Sequence, residues 1–337
     1  MKPEPDVDHP RSAFGAPPQG GAASGPAEPD PRRPLEHARI SGPFLSRCAA
    51  LAERLQTLPD KPEETVEATL RTLWHLAAGR ALSVDAAART ALVPLDAAGQ
   101  GRLDVLIEQR LSGIPLAHLS GRQHFMGLEM LVGKEALIPR AETELLCGAA
   151  LNVLRELTAA ANGAAVTVVD VCTGSGNLAL ALAHHEPTAR VFAADLSPDA
   201  VDLARRNALH LGLDARVELR CGDLLEPFNE PAFHGRVDLL VCNPPYISSK
   251  KVDTLTDEIG AFEPRLAFDG GPLGIGILNR VIREAPRYLR PGGWLAVEVG
   301  LGQAAAMVKR MQGTGQFASV RALDNQHGEP RAVLAQR

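Results

Sequence analysis

The stretch that decides the fold is VTVVDVCTGSG, which runs from Val166 to Gly176. Its first six residues are mostly β-branched and apolar, as in a strand that is buried on both faces. The glycines that follow allow a sharp turn and a close approach of the backbone to a ligand. A helical pattern begins directly afterwards at Leu178. A strand, a glycine-rich turn and a helix in this order predict an α/β domain built on a parallel sheet.

Strand and helix patterns alternate from there to the end of the chain. The predicted strands are 166–171, 190–195, 216–220, 237–242, 294–299, 319–322 and 332–335. The predicted helices are 178–184, 198–211, 275–289 (ended by Pro291-Gly292-Gly293) and 303–311. This alternation predicts a mostly parallel, Rossmann-like sheet with helices on both faces.

The segment before the sheet divides into three parts. Residues 1–42 are rich in Pro, Gly and Ala and have little to bury, so we expect a disordered tail. Residues 43–115 carry apolar side chains at helical spacing from near Phe44, which predicts a small helical domain in which Asp96 caps one helix. Residues 116–140, with Gly127 among alternating apolar residues, predict a β-hairpin linker. The sheet domain then covers residues 141–337, starting with a helix.

The composition argues against several classes of protein. A net charge of −5 argues against direct duplex-DNA binding, and an aromatic content of 4% argues against a stacking platform for single-stranded nucleic acid. The five cysteines lack metal-ligand spacing, so we expect no metal site and free thiols in a cytoplasmic protein. The longest apolar runs have the length of a strand and the N-terminus lacks a signal-peptide pattern, so we expect no membrane partner.

Three acidic residues indicate which ligand the glycine turn holds. Asp195 ends the second strand 21 residues after Gly174, the spacing at which a carboxylate accepts both ribose hydroxyls of an adenosine cofactor. A nicotinamide dinucleotide would use the same two features. Asp170 can orient the loop and reach a cationic ligand, and Asp223 can accept a hydrogen bond from adenine, which favours S-adenosylmethionine. The alternatives are a tight turn without a ligand, a helix cap at Asp195 and a turn at Asp223.

The candidate catalytic residues are Asn243, Pro244, Pro245 and Tyr246, which follow the strand 237–242. The Asn243 side-chain oxygen and the Pro244 carbonyl can accept the two N–H groups of a planar, conjugated nitrogen, and the prolines restrict the backbone so that both acceptors are held in advance. Tyr246 can lie against the planar group and exclude water. This pattern predicts methylation of an amide-like nitrogen without a strong general base. A proline-rich turn that merely ends a strand is the alternative.

The chain resembles the HemK-type family of N5-glutamine methyltransferases, which modify peptide chain release factors. The resemblance covers residues 45–337 and rests on Leu137-Ile138-Pro139-Arg140-Ala141-Glu142-Thr143-Glu144, Asp170 to Gly176, Asn243 to Tyr246, Phe262 to Ala267 with Gly270-Gly271, and the hairpin Gly121 to Val132. The family usually has Gly in place of Cys172, Pro in place of Ala141 and Asp in place of Leu273.

The resemblance implies a seven-stranded S-adenosylmethionine-dependent methyltransferase domain whose helical N-terminal domain helps to hold the release factor. The implied substrate is the glutamine of the Gly-Gly-Gln motif of class 1 release factors. The implied cofactor contacts are Cys172, Thr173, Gly174, Ser175, Gly176, Asp195, Asp223, Leu224 and Asn243. The alternatives are a diverged paralogue that methylates another protein or a small-molecule amide, an enzyme for exocyclic amino groups of nucleic-acid bases, and a noncatalytic adenosine-binding module.

Overall fold

A group of helices leads the described part of the chain. The computed structural model describes residues 33–57, 61–253 and 262–337. The leading helices are α1 (Arg33–Ala52), α2 (Val66–Ala77), α3 (Val84–Arg89), α4 (Ala97–Leu111) and α5 (Leu116–Ser120). Side-chain oxygens of Thr65, Ser83 and Asp96 accept hydrogen bonds from backbone N–H groups at the starts of α2, α3 and α4. The prediction that Asp96 caps a helix is confirmed.

Helix α1 corrects the predicted extent of the tail. It begins at Arg33, so residues 33–42 are helical, whereas the sequence predicted disorder up to residue 42. Pro43 lies inside this helix, and a proline cannot donate a backbone hydrogen bond. Prolines are unfavourable inside a helix, so the sequence pattern did not predict a helix here. The rest of the predicted tail, residues 1–32, lies outside the described residues.

The helical region has an apolar core of its own. Trp74 of α2 is buried, its ring meets that of Phe44 edge-on with centroids 5.7 Å apart, and its indole N–H donates to the Val93 carbonyl over 2.7 Å. Leu70 and Leu103 are also buried in this core. Burial of these large apolar side chains packs the helices against one another.

A β-hairpin joins the helices to the sheet, as predicted. Strands β1 (Arg122–Phe125) and β2 (Leu128–Leu131) pair antiparallel around Met126 and Gly127. Both turn residues have positive φ, 49° and 83°, as a tight hairpin turn requires. Helix α5, just before the hairpin, is not predicted from the sequence, because five residues are too few to show a helical period.

The second part of the chain folds into a seven-stranded sheet with helices on both faces. Its elements are α6 (Thr143–Ala160), β3 (Thr167–Val171), α7 (Asn177–His185), β4 (Arg190–Asp195), α8 (Pro198–His210), β5 (Val217–Cys221), β6 (Val237–Cys242), α9 (Ser249–Val252), α10 (Gly276–Tyr288), β7 (Leu289–Glu298), α11 (Ala304–Gly313), β8 (Ser319–Asp324) and β9 (Pro330–Gln336). The strand order is β5-β4-β3-β6-β7-β9-β8, and β9 runs antiparallel to both of its neighbours. The predicted α/β fold is confirmed.

Strand β7 is longer than the sequence predicted. It starts at Leu289 instead of Trp294, so the Pro291-Gly292-Gly293 segment lies inside the strand. The pairing of β6 with β7 shifts register between Val237 and Leu239. A Cβ atom on Gly293 would lie 2.9 Å from the Val237 carbonyl oxygen, so only glycine fits there. The glycine therefore allows an irregularity within the strand pair and does not mark a loop.

Parallel pairing brings three loops together at one edge of the sheet. Val171 at the end of β3 pairs with Ala194 of β4 on one side and with Cys242 of β6 on the other. The glycine turn after β3, Asp195 at the end of β4 and Asn243 after β6 therefore lie side by side. The carboxyl edge of an open α/β sheet is where ligands bind.

Three observations concern the cysteines, metal sites and membrane spans that were considered from the composition. All five cysteines are free thiols. In the part of the chain that the structure describes, no three His, Cys, Asp or Glu side chains are grouped as metal ligands would be. Over the same ranges, none of the helices combines the length and the apolar character of a membrane span.

Two carboxyl groups are buried near the carboxyl edge of the sheet. Burial raises the pKa of Asp170 in β3 to about 7, although hydrogen bonds from Thr173 and Ala179 oppose the shift. Burial likewise raises the pKa of Glu298, the last residue of β7, to about 7. The charged forms are disfavoured because the carboxyl groups have left water.

These two groups predict how the stability depends on pH. Each carboxyl keeps its proton to a higher pH in the folded chain, so its stabilising contribution is complete near pH 4 and is lost as the pH rises through 7. Burial lowers the pKa values of buried His75 and half-buried His118, which act in the opposite direction. We therefore expect Asp170→Asn and Glu298→Gln each to remove a decline of roughly 3 kcal/mol between pH 4 and 8, relative to wild type.

Urea unfolding at several pH values measures this difference directly. A variant whose unfolding free energy follows the same pH dependence as the wild-type protein would contradict the assignment for that carboxyl group.

Asn207 of α8 ties the hairpin to the sheet domain. Its Oδ1 accepts from the Leu131 N–H over 2.6 Å, and its Nδ2 donates to the carbonyls of Leu131 and Ser175 over 3.1 and 3.0 Å. The side chain is fully buried. We expect Asn207→Ala to lower the unfolding free energy by about 2 to 4 kcal/mol, because the buried carbonyl of Ser175 and two partly buried backbone groups of Leu131 lose their partner.

Two further variants control this measurement by denaturant unfolding. Asn207→Asp keeps the acceptor but turns a second oxygen towards two carbonyls, so it should destabilise at least as much as alanine. Asn152→Ala changes an exposed asparagine of α6 and should leave the stability nearly unchanged. Equal stability of Asn207→Ala and the wild-type protein would contradict the proposed role of the Asn207 hydrogen bonds.

Candidate active site

A cleft lies at the carboxyl edge of the sheet, above the ends of β3, β4, β5 and β6. It encloses about 990 Å³ of empty space, with the solvent at its mouth included. The segments 135–143 and 264–267 form its other wall. A volume of several hundred Å³ with a largely apolar lining and a few polar groups is typical of a small-molecule site.

The cleft brings together most of the residues predicted from the sequence. Its walls include Cys172, Thr173, Gly174, Ser175, Asp195, Asp223, Leu224, Asn243 and Pro245. Four predicted residues do not line it, namely Asp170, Gly176, Pro244 and Tyr246. The structure gives a physical reason for the position of Asp170, Gly176 and Tyr246.

The two glycines of the turn differ in what they do. Both have positive φ, 55° at Gly174 and 84° at Gly176, which favours glycine at either position. A Cβ on Gly174 would meet only Ala136, at 3.8 Å, so the space beside it is open to the cleft. A Cβ on Gly176 would lie 3.0 Å from Leu180 and 3.2 Å from Ala204. Gly176 therefore permits close packing of the loop on α8. Its contact with a ligand stays a prediction.

Asp170 holds the glycine loop from the interior of the domain. Its side chain is fully buried, and its Oδ2 accepts a hydrogen bond of 2.5 Å from the Thr173 hydroxyl. The prediction that Asp170 orients the loop agrees with this contact. The carboxyl group is buried and does not line the cleft, so its reach to a cationic ligand stays a prediction.

Asp195 joins the first two loops. Its Oδ2 accepts from the Gly174 N–H over 2.8 Å and its Oδ1 accepts from the Ser197 N–H over 2.9 Å. Burial raises the pKa of Asp195, and these backbone hydrogen bonds oppose the shift. Ser197 caps α8, so Asp195 is not the helix cap. Each carboxylate oxygen retains a lone pair that a ligand hydroxyl can use.

Asp223 is held by a residue that the sequence analysis did not select. The guanidinium of Arg280, on α10, donates to both carboxylate oxygens over 3.1 and 2.8 Å. The two residues are 57 positions apart, and no local pattern connects them. These two hydrogen bonds from the guanidinium restrain the Asp223 carboxylate at the wall of the cleft.

Cys172 adopts a conformation that explains why relatives of the resembled family usually have glycine there. Its φ is 60°, in the left-handed region, which costs an L-residue about 1 to 2 kcal/mol. Its side chain packs against the core cluster that contains Val171 and Cys242. The thiol thus fills space at the base of the cleft that a glycine would leave open.

The segment Asn243 to Tyr246 is held from several sides. The Asn243 Nδ2 donates to the Thr143 hydroxyl over 3.1 Å. The Tyr246 hydroxyl donates to Glu298 Oε1 over 3.1 Å, and the Arg331 guanidinium lies 5.8 Å from the Tyr246 ring centroid. Tyr246 is therefore held through its hydroxyl group. Its position against the substrate stays a prediction.

Close backbone packing explains the first glycine of the Gly270-Gly271 pair, and a φ of 88° explains the second. A Cβ on Gly270 would lie 2.6 Å from the Pro245 carbonyl oxygen. Gly300 is restricted in the same way, since a Cβ there would lie 3.0 Å from the Tyr246 ring. Both glycines let neighbouring segments lie directly against the catalytic loop.

Glu263 braces the other wall of the cleft. Its Oε2 accepts from the Ile138 N–H over 2.9 Å, and its Oε1 forms a 2.5 Å ion pair with Arg140. The carboxylate is buried, so these contacts are shielded from water. The segment 137–140 contributes Leu137, Pro139 and Arg140 to the cleft, which the sequence analysis quoted only as a signature. The contacts span 123 and 125 residues, a separation at which the sequence carries no local signal.

Comparison with known proteins gives a consistent result. Residues 162–317 match the family model of a methyltransferase domain. The release factor glutamine methyltransferase of Moorella thermoacetica is 40% identical over 240 residues, which are 71% of this chain and 81% of the relative. That of Geobacter sulfurreducens is 40% identical over 259 residues, 75% and 84% of the two chains. That of Koribacter versatilis is 35% identical over 279 residues, 82% and 93% of the two chains.

These relatives match 71 to 82% of the chain, and they agree with the resemblance inferred from the sequence motifs. The chain therefore belongs to the family of release factor glutamine methyltransferases.

Proposed function

We propose that this methyltransferase transfers a methyl group from S-adenosylmethionine to the side-chain nitrogen of the glutamine in the Gly-Gly-Gln motif of class 1 peptide chain release factors. The observation that carries the proposal is the orientation of Asn243. Its Nδ2 is turned away to Thr143, which leaves Oδ1 to accept an N–H group in the cleft. Membership of the family supports the choice of a protein glutamine.

The residues of the cleft suit an adenosine sulfonium ligand. Asp195 can accept two ribose hydroxyls, and the open space beside Gly174 admits the ligand close to the backbone. Asp223, held by Arg280, can accept from the adenine amino group, and the buried face of Leu224 offers an apolar contact. Cys172, Thr173 and Ser175 complete the same wall. S-adenosylmethionine supplies an electrophilic methyl group when it is bound.

The catalytic segment then has to orient a poor nucleophile. The lone pair of an amide nitrogen is delocalised, so both N–H groups must be held while the nitrogen faces the methyl group. We assign one acceptor to Asn243 Oδ1 and the other to the Pro244 carbonyl. Pro244 and Pro245 restrict the backbone, and Tyr246 holds it through Glu298. These oxygen dipoles stabilise the positive charge that develops on the nitrogen.

We assign recognition of the release factor in part to the helical domain, residues 43–115, with residues 116–140 as the linker to the catalytic domain. The contact of α8 with the hairpin through Asn207 supports this division, because it holds the linker at a set position beside the cofactor loop. The free thiols support a location in the reducing cytoplasm.

Labelling with radioactive S-adenosylmethionine tests the substrate. We expect a class 1 release factor to be labelled, because its glutamine offers the planar nitrogen, and a variant with Gly-Gly-Ala in place of Gly-Gly-Gln to remain unlabelled. Transfer RNA and DNA serve as controls for the exocyclic amino groups of bases, and free glutamine serves as the control for a small amide. Equal labelling of the release factor and its alanine variant, or labelling confined to a control, would exclude the proposal.

Two substitutions separate methyl transfer from cofactor binding. We expect Asn243→Ala to lower kcat roughly 100-fold or more, because one acceptor for the amide is lost. Calorimetry should find that its affinity for S-adenosylmethionine is largely retained. Asp195→Ala is the matched control and should weaken cofactor binding instead. An Asn243→Ala enzyme with wild-type turnover would contradict the assigned role.

A further inference from the structure

We infer that Gln303 is a positioning residue for methyl transfer, which holds the Tyr246 carbonyl and thereby the backbone of the loop Asn243 to Tyr246. The inference rests on the proposed function, since this backbone carries both acceptors assigned to the substrate amide. Gln303 lies 57 residues after Tyr246 in the chain. It is not among the residues that line the cleft, so it acts through the loop and not on the ligand.

The loop offers few groups by which its backbone can be held. Pro244 and Pro245 have no backbone N–H, so hydrogen bonds can reach them only at their carbonyls. The Pro244 carbonyl is the acceptor that we assign to the substrate. Directly after the loop, the Ile247 N–H donates to the Phe268 carbonyl over 2.9 Å. The Tyr246 carbonyl lies between the two prolines and this anchor, so a donor there restricts the movement of the loop.

The side-chain amide of Gln303 supplies that donor. Its Nε2 donates to the carbonyls of Tyr246 and Gly274 over 3.0 and 3.3 Å, and its Oε1 accepts from the Gly300 N–H over 2.9 Å. A backbone N–H only donates and a backbone carbonyl only accepts, so these partners fix the orientation of the amide. Gln303 precedes α11, and its side chain does not cap that helix. The amide therefore serves the loop.

Glycines let the three linked segments lie directly against one another. A Cβ on Gly274 would overlap the Tyr246 carbonyl oxygen, and a Cβ on Gly300 would lie 2.9 Å from Gln303 Oε1. The Gly274 φ of 69° also favours glycine at that position. The Gln303 amide thus joins the catalytic loop to two neighbouring segments by hydrogen bonds, and it restrains the loop relative to both.

Loss of this restraint should affect the transfer step more than binding. The substrate nitrogen must stay in line with the methyl group, and a displacement of about 1 Å costs roughly 100-fold in rate. Cofactor binding is assigned to Asp195 and the glycine turn, which the Gln303 amide does not contact.

Gln303→Met tests the inference, because methionine has a similar length and makes none of the three hydrogen bonds. We expect kcat to fall roughly 10- to 100-fold, with nearly unchanged values of the affinity for S-adenosylmethionine and of KM for the release factor. Gln303→Glu keeps an acceptor for Gly300, but a carboxylate cannot donate to the two carbonyls, so kcat should fall at least as far. Gln312→Met changes an exposed glutamine of α11 and should keep the wild-type kcat.

A second measurement needs no substrate. Tyr246-Ile247 is the single Tyr-Ile pair of the chain, so whole enzyme labelled with ¹³C-carbonyl tyrosine and ¹⁵N isoleucine gives one NMR signal for this peptide bond. The carbonyl resonance should move to lower chemical shift in Gln303→Met and Gln303→Glu, because the carbonyl loses its donor, and should stay in place in Gln312→Met. Thermal unfolding checks the fold. Should methionine unfold the chain, Gln303→Glu carries both measurements.

The outcomes separate the two proposals. A wild-type enzyme that labels the release factor, together with a wild-type kcat in Gln303→Met, would overturn the positioning role and leave the proposed function intact. An unchanged carbonyl resonance, or a loss of turnover that comes from weaker cofactor binding, would overturn it as well. A wild-type enzyme that labels no release factor would refute the proposed function, while the carbonyl resonance would still decide whether Gln303 holds the loop.

Discussion

The hydrogen bond between the Gly174 N–H and Asp195 Oδ2, 2.8 Å long, is the contact on which the cleft depends. It joins the loop after β3 to the end of β4, and the parallel register of these strands brings the two together. Burial opposes the charge of Asp195, and the N–H groups of Gly174 and Ser197 stabilise it. Because both oxygens are already restrained, the carboxylate and the glycine loop hold their positions before a ligand enters.

The same kind of hydrogen bond is found at each wall of the cleft. A buried carboxyl group accepts hydrogen bonds from a loop and so restrains it: Asp170 holds Thr173, Glu298 holds Tyr246, and Glu263 holds Arg140. Hydrogen bonds to an ionised group are stronger than neutral ones, particularly away from water. The cost is visible in the raised pKa values of Asp170 and Glu298. The enzyme thus gives up some stability to hold its loops in place.

The departures from the resembled family affect the cleft unequally. Leu273 is 77% exposed, and Ala141 is exposed in the turn before α6, so neither forms part of the wall. Cys172 does lie in the wall, in a left-handed conformation that suits glycine better. The catalytic segment and Asp195 are unaffected, which agrees with the family assignment from the relatives.

The sequence by itself determined the order of strands and helices, the glycine turn, Asp195 and Asn243, because these features are encoded by neighbouring residues and by periodic patterns. The tertiary structure decided where the side chains point. Tyr246 turns to Glu298, 52 residues away, and Asp223 is held by Arg280, 57 residues away. Such contacts depend on which strands become neighbours in the sheet and on which groups lose their water, and neither is written in any local stretch of the chain.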